Sequence, residues 1–150
     1  MIKERRKRMI NLKVKKLTSS AVLPTKAYEY DAGFDLTVDS YEVTHSTKRV
    51  CYHTGIAVEI PKGMVGLLFP RSSVYKKRGF RLTNSVGVID SGYHGEVMAY
   101  FEYVNLNEIY QVGERFCQLV LVKLPEIEIE EVEELSDSER GDKGYGSSGN

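Results

Sequence analysis

The sequence predicts one all-β domain with a single short helix. Short runs rich in Val, Ile, Tyr and Phe recur along the chain and are separated by Gly, Pro, Asn or Asp, which is typical of strands joined by turns. In several runs apolar residues alternate with polar ones, as in strands that bury one face. With 41% apolar and 28% charged side chains, the 150 residues suffice for one core and are too few for two.

The strands are predicted in order from this pattern. The first begins at Ile10, where Ile10, Leu12 and Val14 alternate with polar residues. The run 116–124 is almost continuously apolar, which indicates a strand buried on both faces. The run 127–132 has Ile127 and Ile129 between glutamates, which predicts an exposed edge strand with a charged face. Further strands are predicted at 33–38, 50–60, 64–69, 80–82 and 97–104.

One segment, 73–77, has a helical pattern. Ser72 or Ser73 is expected to cap its start, and Gly79 is expected to end it in the left-handed conformation. The terminal segments differ from the predicted domain at 9–135. Residues 1–8 form a basic leader that we expect to be disordered, and Met9 fits a true start site. Residues 136–150 are rich in Ser, Gly and charge and are expected to form a mobile arm.

Composition excludes several classes of protein. No run approaches the roughly 20 apolar residues of a membrane helix, so no membrane partner is expected. Because Lys and Arg balance Asp and Glu at 21 each, nucleic-acid binding is not expected either. Cys51 and Cys117 lack metal or redox spacing and are expected to be buried thiols in a cytoplasmic protein. The three histidines also lack metal-site spacing.

Five segments carry residues that a packed β domain does not require. They are A-G-F-D-L at 32–36, P-R-S-S at 70–73, N-S-V-G-V-I-D-S-G-Y-H-G-E-V at 84–97, G-E-R-F-C-Q-L at 113–119 and R-G-D-K-G-Y-G-S-S-G at 140–149. An arginine and two hydroxyls where a strand meets a helix are suited to a phosphate. Asp90 is placed at a tight turn of a hairpin, among glycines that would let a ligand approach the backbone.

Each segment taken alone also has an ordinary structural explanation. Asp35 and Asp90 are typical of turn aspartates, and Ser72 and Ser73 are typical of helix caps. Gln118 in an apolar strand needs polar partners, which backbone groups could supply as well as a ligand. The glycine-rich end is typical of flexible tails and of arms that wrap a phosphate.

Taken together and in this order, the five segments resemble the five motifs of the homotrimeric dUTPase family. The resemblance covers the chain from about Ala32 to Gly149. It implies a distorted jelly-roll or β-clip barrel, assembled as a homotrimer with active sites at subunit boundaries. It also implies Mg²⁺-dependent hydrolysis of dUTP to dUMP and pyrophosphate, which limits uracil incorporation into DNA and supplies dUMP for dTMP synthesis.

The resemblance also implies roles for individual residues. Asp90 would be the general base that activates water for attack on the α-phosphorus. Asp35 would reach the substrate-held Mg²⁺ through water, so no direct protein ligand to the metal is expected. Tyr93 would lie against the deoxyribose, and Tyr145 in the closing arm would cover the uracil. The substrate-binding residues would be Arg71, Ser72, Ser73, Asn84, Val88, Ile89, Asp90, Tyr93, Met98, Gln118, Arg140, Tyr145, Gly146, Ser147 and Ser148.

The chain departs from the family pattern at Tyr145, where Phe is usual, at His94, where Arg is common, and at Ser148, which is often Thr. None of these changes removes a proposed chemical role. Two other functions stay open from the sequence. A dCTP deaminase would share the fold and the phosphate sites, and a regulatory protein could keep the site for sensing a nucleotide.

Overall fold

The computed structural model describes residues 9–139 and 141–142, without the side chain of Asn107. It contains two antiparallel sheets and one short α-helix within that part of the chain. The strands are β1 (Lys13–Lys16), β2 (Gly33–Thr37), β3 (Ser40–Thr44), β4 (Arg49–Glu59), β5 (Met64–Pro70), β6 (Arg81–Leu82), β7 (Gly87–Ile89), β8 (Glu96–Glu102) and β9 (Arg115–Lys123). The helix α1 spans Ser73–Arg78, and 3₁₀ turns lie at His45–Thr47 and Leu106–Glu108.

The first sheet has the order β1-β4-β8-β6, and β3 also pairs with β4. Strand β4 is long enough to hold β3 along its first half and β1 along its second half. The second sheet has the order β2-β9-β5-β7. Strand β9 therefore lies between β2 and β5, which brings the start of β9 next to the end of β5.

The core lies between the two sheets and is rich in aromatic side chains. Tyr52 of the first sheet and Phe116 of the second are fully buried, with ring centroids 4.9 Å apart. The Tyr52 hydroxyl accepts a hydrogen bond of 2.8 Å from the Tyr110 backbone N–H, so this buried polar atom is satisfied. Burial raises the pKa of the Tyr52 hydroxyl above its ordinary value.

Most of the predicted elements are confirmed. Helix α1 begins at Ser73, follows Ser72 at the N-cap position, and ends at Gly79, which has a left-handed φ of 67°. Ser72 occupies the cap position without forming a side-chain cap hydrogen bond. Cys51 and Cys117 are buried free thiols, as expected. Among the described residues, no helix has the length and apolar character that a membrane crossing needs.

Two predictions about strands were wrong, and one strand was missed. The run 127–132 forms no strand, and Ile129 is 95% exposed, because this segment has no strand beside it within the described chain. Strand β3 was missed, since its alternating Tyr41 and Val43 are too few to stand out beside β2. The turn at Asp90 does not close a hairpin, because β7 pairs with β5 whereas β8 pairs with β4 and β6 in the other sheet.

Candidate active site

An ion cluster of three residues lies where β2, β5 and β9 meet. Asp35 Oδ1 lies 3.0 Å from Arg71 Nε, and Asp35 Oδ2 lies 3.0 Å from Arg115 Nη1. Asp35 is positioned by β2, Arg71 follows the end of β5, and Arg115 begins β9. The Asp35 side chain is only 13% exposed, and each of its oxygens faces a guanidinium group.

Asp35 and Arg71 of this cluster line a polar cavity of about 260 Å³. Gln118 lies opposite Asp35 in the β2–β9 register, and its amide donates to the Pro70 carbonyl at 3.3 Å. The Gln118 side chain packs directly over Gly33, where a Cβ atom would collide with it. The polar cavity is lined by Ala27, Asp31, Ala32, Gly33, Asp35, Arg71, Ser72 and Gln118.

A second, more apolar cavity of about 410 Å³ lies beside β7 and β8. Strand β7 pairs with β5, so Gly87 stands opposite Leu68, whose side chain packs where a Cβ atom at Gly87 would lie. This apolar cavity also contains polar groups, among them the Asn84 amide and the Tyr93 phenol. It is lined by Leu68, Leu82, Thr83, Asn84, Gly87, Val88, Ile89, Tyr93, Glu96, Val97, Met98, Ala99 and Tyr100.

Asp90 lies in the turn that joins β7 of the second sheet to β8 of the first sheet. The Tyr93 backbone N–H donates to the Asp90 carbonyl at 3.0 Å, which closes a β-turn over Ser91 and Gly92. Asp90 is exposed and directly follows Ile89, a residue of the apolar cavity. Its carboxylate is therefore accessible to a ligand or to water at the edge of that cavity.

Most of the predicted site residues in the described part of the chain line one of the two cavities, whereas Ser73 and Asp90 line neither. Asp35, Arg71, Ser72 and Gln118 line the polar cavity, and Asn84, Val88, Ile89, Tyr93 and Met98 line the apolar cavity. Ser73 is the first residue of α1 and lines neither of them. Arg140, Tyr145, Gly146, Ser147 and Ser148 lie outside the described residues.

Two features of the site were not predicted from the sequence. Arg115 was noted only as a residue beside an apolar strand, although it completes the ion cluster around Asp35. Glu96 and Tyr100 line the apolar cavity because alternate residues of β8 face outward from the core. Strand alternation was visible in the sequence, but the sheet that would receive β8 was not.

Comparison with known proteins identifies the family of this chain. The family model described as dUTPase matches residues 19–149. The chain is 39% identical over 142 residues to the deoxyuridine 5′-triphosphate nucleotidohydrolase of Corynebacterium glutamicum, covering 92% of this chain and 94% of that protein. It is 40% identical over 144 residues to the protein of the same name from Hydrogenobaculum, covering 93% and 99%.

Solved structures give the same result for the fold. A mutant of the Staphylococcus bacteriophage 80alpha dUTPase with dUpNHpp superposes with a TM-score of 0.82 at 32% identity, covering 95% of this chain and 100% of that chain. A mutant dUTPase from phage phi11 of S. aureus, described for its coordination of a structural Mg(II) ion, gives 0.72 at 27% identity, with 83% and 98% covered. The expected all-β, jelly-roll-like class is confirmed, and the chain belongs to the dUTPase family of enzymes that hydrolyse deoxyuridine 5′-triphosphate.

Proposed function

We propose that the enzyme cleaves dUTP between the α- and β-phosphates, with Asp90 as general base, and that it acts as a homotrimer with Mg²⁺. The observation that supports this most directly is the pair of cavities with complementary chemistry. The apolar cavity offers an amide, a phenol and a glycine-lined strand, as a nucleoside requires. The polar cavity offers a guanidinium, a hydroxyl and a carboxamide, as a polyphosphate requires.

The nucleoside would bind in the apolar cavity against β7. Uracil presents acceptor, donor and acceptor groups along its pairing edge, which the Asn84 amide and the backbone of β7 can match. Cytosine reverses two of these groups and would leave buried polar atoms unpaired, which can lower kcat/KM by roughly 10⁴ to 10⁵. Tyr93, whose side chain forms part of the cavity wall, would pack against the deoxyribose and exclude a 2′-hydroxyl.

The phosphates would bind in the polar cavity. Asp35 holds Arg71 from one side, so the guanidinium is oriented before a substrate arrives. Ser72 is exposed and makes no cap hydrogen bond to the helix, so its hydroxyl can donate to a phosphate oxygen. These donors would stabilise the negative charge that develops on the oxygen bridging the α- and β-phosphates.

Asp90 would act on the water that attacks the α-phosphorus. The carboxylate accepts a proton as the water oxygen forms its bond to phosphorus, and the bond from phosphorus to the bridging oxygen breaks. Pyrophosphate leaves and dUMP remains. A well-placed general base contributes roughly 10² to 10⁴-fold to the rate.

The residues of the polar cavity fit a Mg²⁺ ion held mainly by the substrate. Asp35 Oδ2 accepts from Arg115 and Oδ1 lies 3.0 Å from Arg71 Nε, which leaves a further lone pair on the carboxylate for a water molecule. No cluster of three or more His, Cys, Asp or Glu side chains that could cage a metal occurs in the described part of the chain. When bound, Mg²⁺ would neutralise charge on the phosphate oxygens and keep most of its waters.

A homotrimer would bring the apolar cavity of one subunit next to the polar cavity of another. This is supported by the separation of the two cavities, which share no lining residue on the single chain. Gln118 would then contact the phosphates of a nucleotide whose nucleoside is bound by a neighbouring subunit. Arg140 with Tyr145, Gly146, Ser147 and Ser148 would close over the site and exclude water, as catalytic lids do.

The test is pyrophosphate release with Mg²⁺ from dUTP, dCTP, dTTP and UTP in parallel, with ammonia measured in the dCTP reaction. We expect release from dUTP alone. The Asp90→Asn variant should lose at least about 100-fold in turnover while retaining nucleotide binding. A matched Glu59→Gln variant, which alters an exposed carboxylate outside both cavities, should keep the wild-type rate.

Each other outcome identifies a different function or mechanism. Release of ammonia from dCTP would identify the protein as a dCTP deaminase, an enzyme class that shares this fold. Binding of dUTP without turnover by the wild type would favour a nucleotide-sensing role. Full turnover by Asp90→Asn would overturn the general-base assignment alone.

A further inference from the structure

Tyr93 is fixed by a contact that involves its hydroxyl group. The hydroxyl donates a 2.8 Å hydrogen bond to the backbone carbonyl of Glu96. The ring lies across Gly95, where a Cβ atom would come within 2.6 Å of the phenolic oxygen. The position of the ring in the apolar cavity therefore depends on where the peptide at Glu96 is held.

The Glu96 side chain contacts two residues of a different strand, β4, and these two contacts are called the Glu96 tie. Its Oε1 accepts from the Gly55 backbone N–H at 2.8 Å, and its Oε2 lies 3.0 Å from His53 Nδ1. A carboxylate can only accept, so Nδ1 of His53 carries the proton in this contact. The two side chains are 25% and 21% exposed, which makes the pair part of the folded structure and not a loose surface contact.

This tie lies at an irregular place in the β4–β8 ladder. The register shifts between His53 and Ala57, and Gly55 has a φ of 64°, where glycine is favoured. The shift removes the Gly55 N–H from the regular ladder, and the Glu96 carboxylate supplies its acceptor. Glu96 thus joins the bulge of β4 to the peptide that receives the Tyr93 hydroxyl.

We propose that Glu96 is a positioning residue for sugar selection: by joining the β4 bulge to the Tyr93 hydroxyl, it sets how closely the Tyr93 ring approaches the 2′ position. This inference rests on the proposed function, in which Tyr93 packs against the deoxyribose. Loss of the tie lets the peptide and the ring move outward, which makes room for a 2′-hydroxyl. The consequence is a change in the preference for dUTP over UTP.

The experiment measures kcat/KM for dUTP and UTP in three variants of the full chain. Glu96→Ala removes the tie and should raise the UTP-to-dUTP ratio by about tenfold, since the clash with the 2′-hydroxyl is relieved. Glu96→Gln keeps an oxygen for the Gly55 N–H, and His53 can accept from its amide in the other tautomer. It should therefore stay within about threefold of the wild-type ratio. Glu59→Ala is the matched control and should leave the ratio unchanged.

A second variant tests the inference if Glu96→Ala folds poorly. Tyr93→Phe retains the ring and all of Glu96 but removes the hydroxyl bond, so it should shift the ratio in the same direction. If Glu96 acts through the Tyr93 hydroxyl, combining Glu96→Ala with Tyr93→Phe should lower the preference for dUTP over UTP no further than the stronger of the two single substitutions does.

The outcomes separate this inference from the proposed function. A wild-type ratio in a folded Glu96→Ala variant that still hydrolyses dUTP would overturn the inference and leave the proposed function intact. Multiplying effects in the double variant would show that Glu96 acts independently of Tyr93, which also overturns it. Absence of dUTP hydrolysis in the wild type would instead remove the proposed function on which the inference rests.

Discussion

The structure of the polar cavity depends on contacts between charged side chains, whereas the shape of the apolar cavity depends on how the strands around it pair. Arg71, which follows β5, and Arg115 of β9 each form an ion pair of 3.0 Å with Asp35 of β2. At the apolar cavity, Gly87 is positioned by its pairing with Leu68. The Tyr93 ring is positioned by the hydrogen bond from its hydroxyl to the backbone carbonyl of Glu96. A change of charge should therefore affect one cavity, and a change of shape the other.

The difference also explains how each cavity could select a ligand. Guanidinium groups recognise the charge and geometry of a phosphate, which every nucleotide shares. A cavity shaped by backbone distinguishes bases and sugars by hydrogen-bond pattern and by steric fit. We therefore expect affinity to depend mainly on the polar cavity and discrimination mainly on the apolar cavity.

The largest effect is expected from Asp35→Asn. The substitution leaves Arg71 and Arg115 without the carboxylate that orients them, so an ion pair with Arg71 and a charge-assisted hydrogen bond from Arg115 are weakened or lost. At roughly 1.5 kcal/mol each, this corresponds to a loss of about 100-fold in kcat/KM for dUTP. Steady-state kinetics with dUTP and dCTP would show the loss with the preference for uracil unchanged.

The exposed carboxylate of Glu42 provides the control for this experiment. Glu42→Gln lies on β3, outside both cavities, and should have wild-type kinetics. If Asp35→Asn instead altered base preference, the two cavities would not act separately and the comparison between them would be wrong.

A moderate effect is expected from Gly87→Ala, which changes shape without charge. The added Cβ would lie 2.9 Å from Leu68 Cβ, so β7 must shift away from β5. Overpacking of this kind costs typically 1–3 kcal/mol in stability, and we expect about 1 kcal/mol here with reduced preference for dUTP over dCTP. Thermal unfolding and the two kcat/KM values would measure both effects.

Gly92→Ala is the matched control for stability, because a Cβ atom at Gly92 meets nothing within 4 Å. Its unfolding temperature should equal that of the wild type. A Gly87→Ala enzyme with unchanged base preference would contradict the view that the backbone of β7 reads the base.

The smallest effect is expected outside both cavities, at the far end of helix α1. Arg78 donates to both oxygens of Glu114 at 2.7 and 3.1 Å, and this contact lowers the pKa of Glu114 below its ordinary value of 4.5. Because the folded pKa is the lower one, the pair stabilises the protein above pH 4.5. That contribution is lost as the pH falls through the folded pKa.

The Glu114 side chain is 39% exposed, so its pair with Arg78 is screened and worth about 1 kcal/mol or less. Glu114→Gln should therefore destabilise the protein slightly at pH 7. The difference from the wild type should shrink in acid. The measurement is denaturant unfolding of both proteins at pH 7 and at a pH below the folded pKa of Glu114. A difference in the free energy of unfolding that grows in acid would contradict the ion-pair explanation.

Local sequence determined much of the fold and identified the five motif segments. Alternating and continuous apolar runs predicted β4, β5 and β9 because burial on one or both faces of a strand leaves a periodic trace. Helix α1 and its left-handed end at Gly79 were predicted because capping depends on neighbouring residues. The motif residues were identified from their types and order, which do not require the tertiary structure.

Tertiary structure alone decided the strand pairings and the partners of individual side chains. The segment 127–132 has the alternation of a strand but no neighbour in the described chain, and alternation cannot supply one. The turn at Asp90 joins two sheets because β7 and β8 find different partners, a choice made by long-range packing. For the same reason, Arg115 at Asp35 and Gly55 at Glu96 could not be predicted: each contact joins strands that are far apart in sequence.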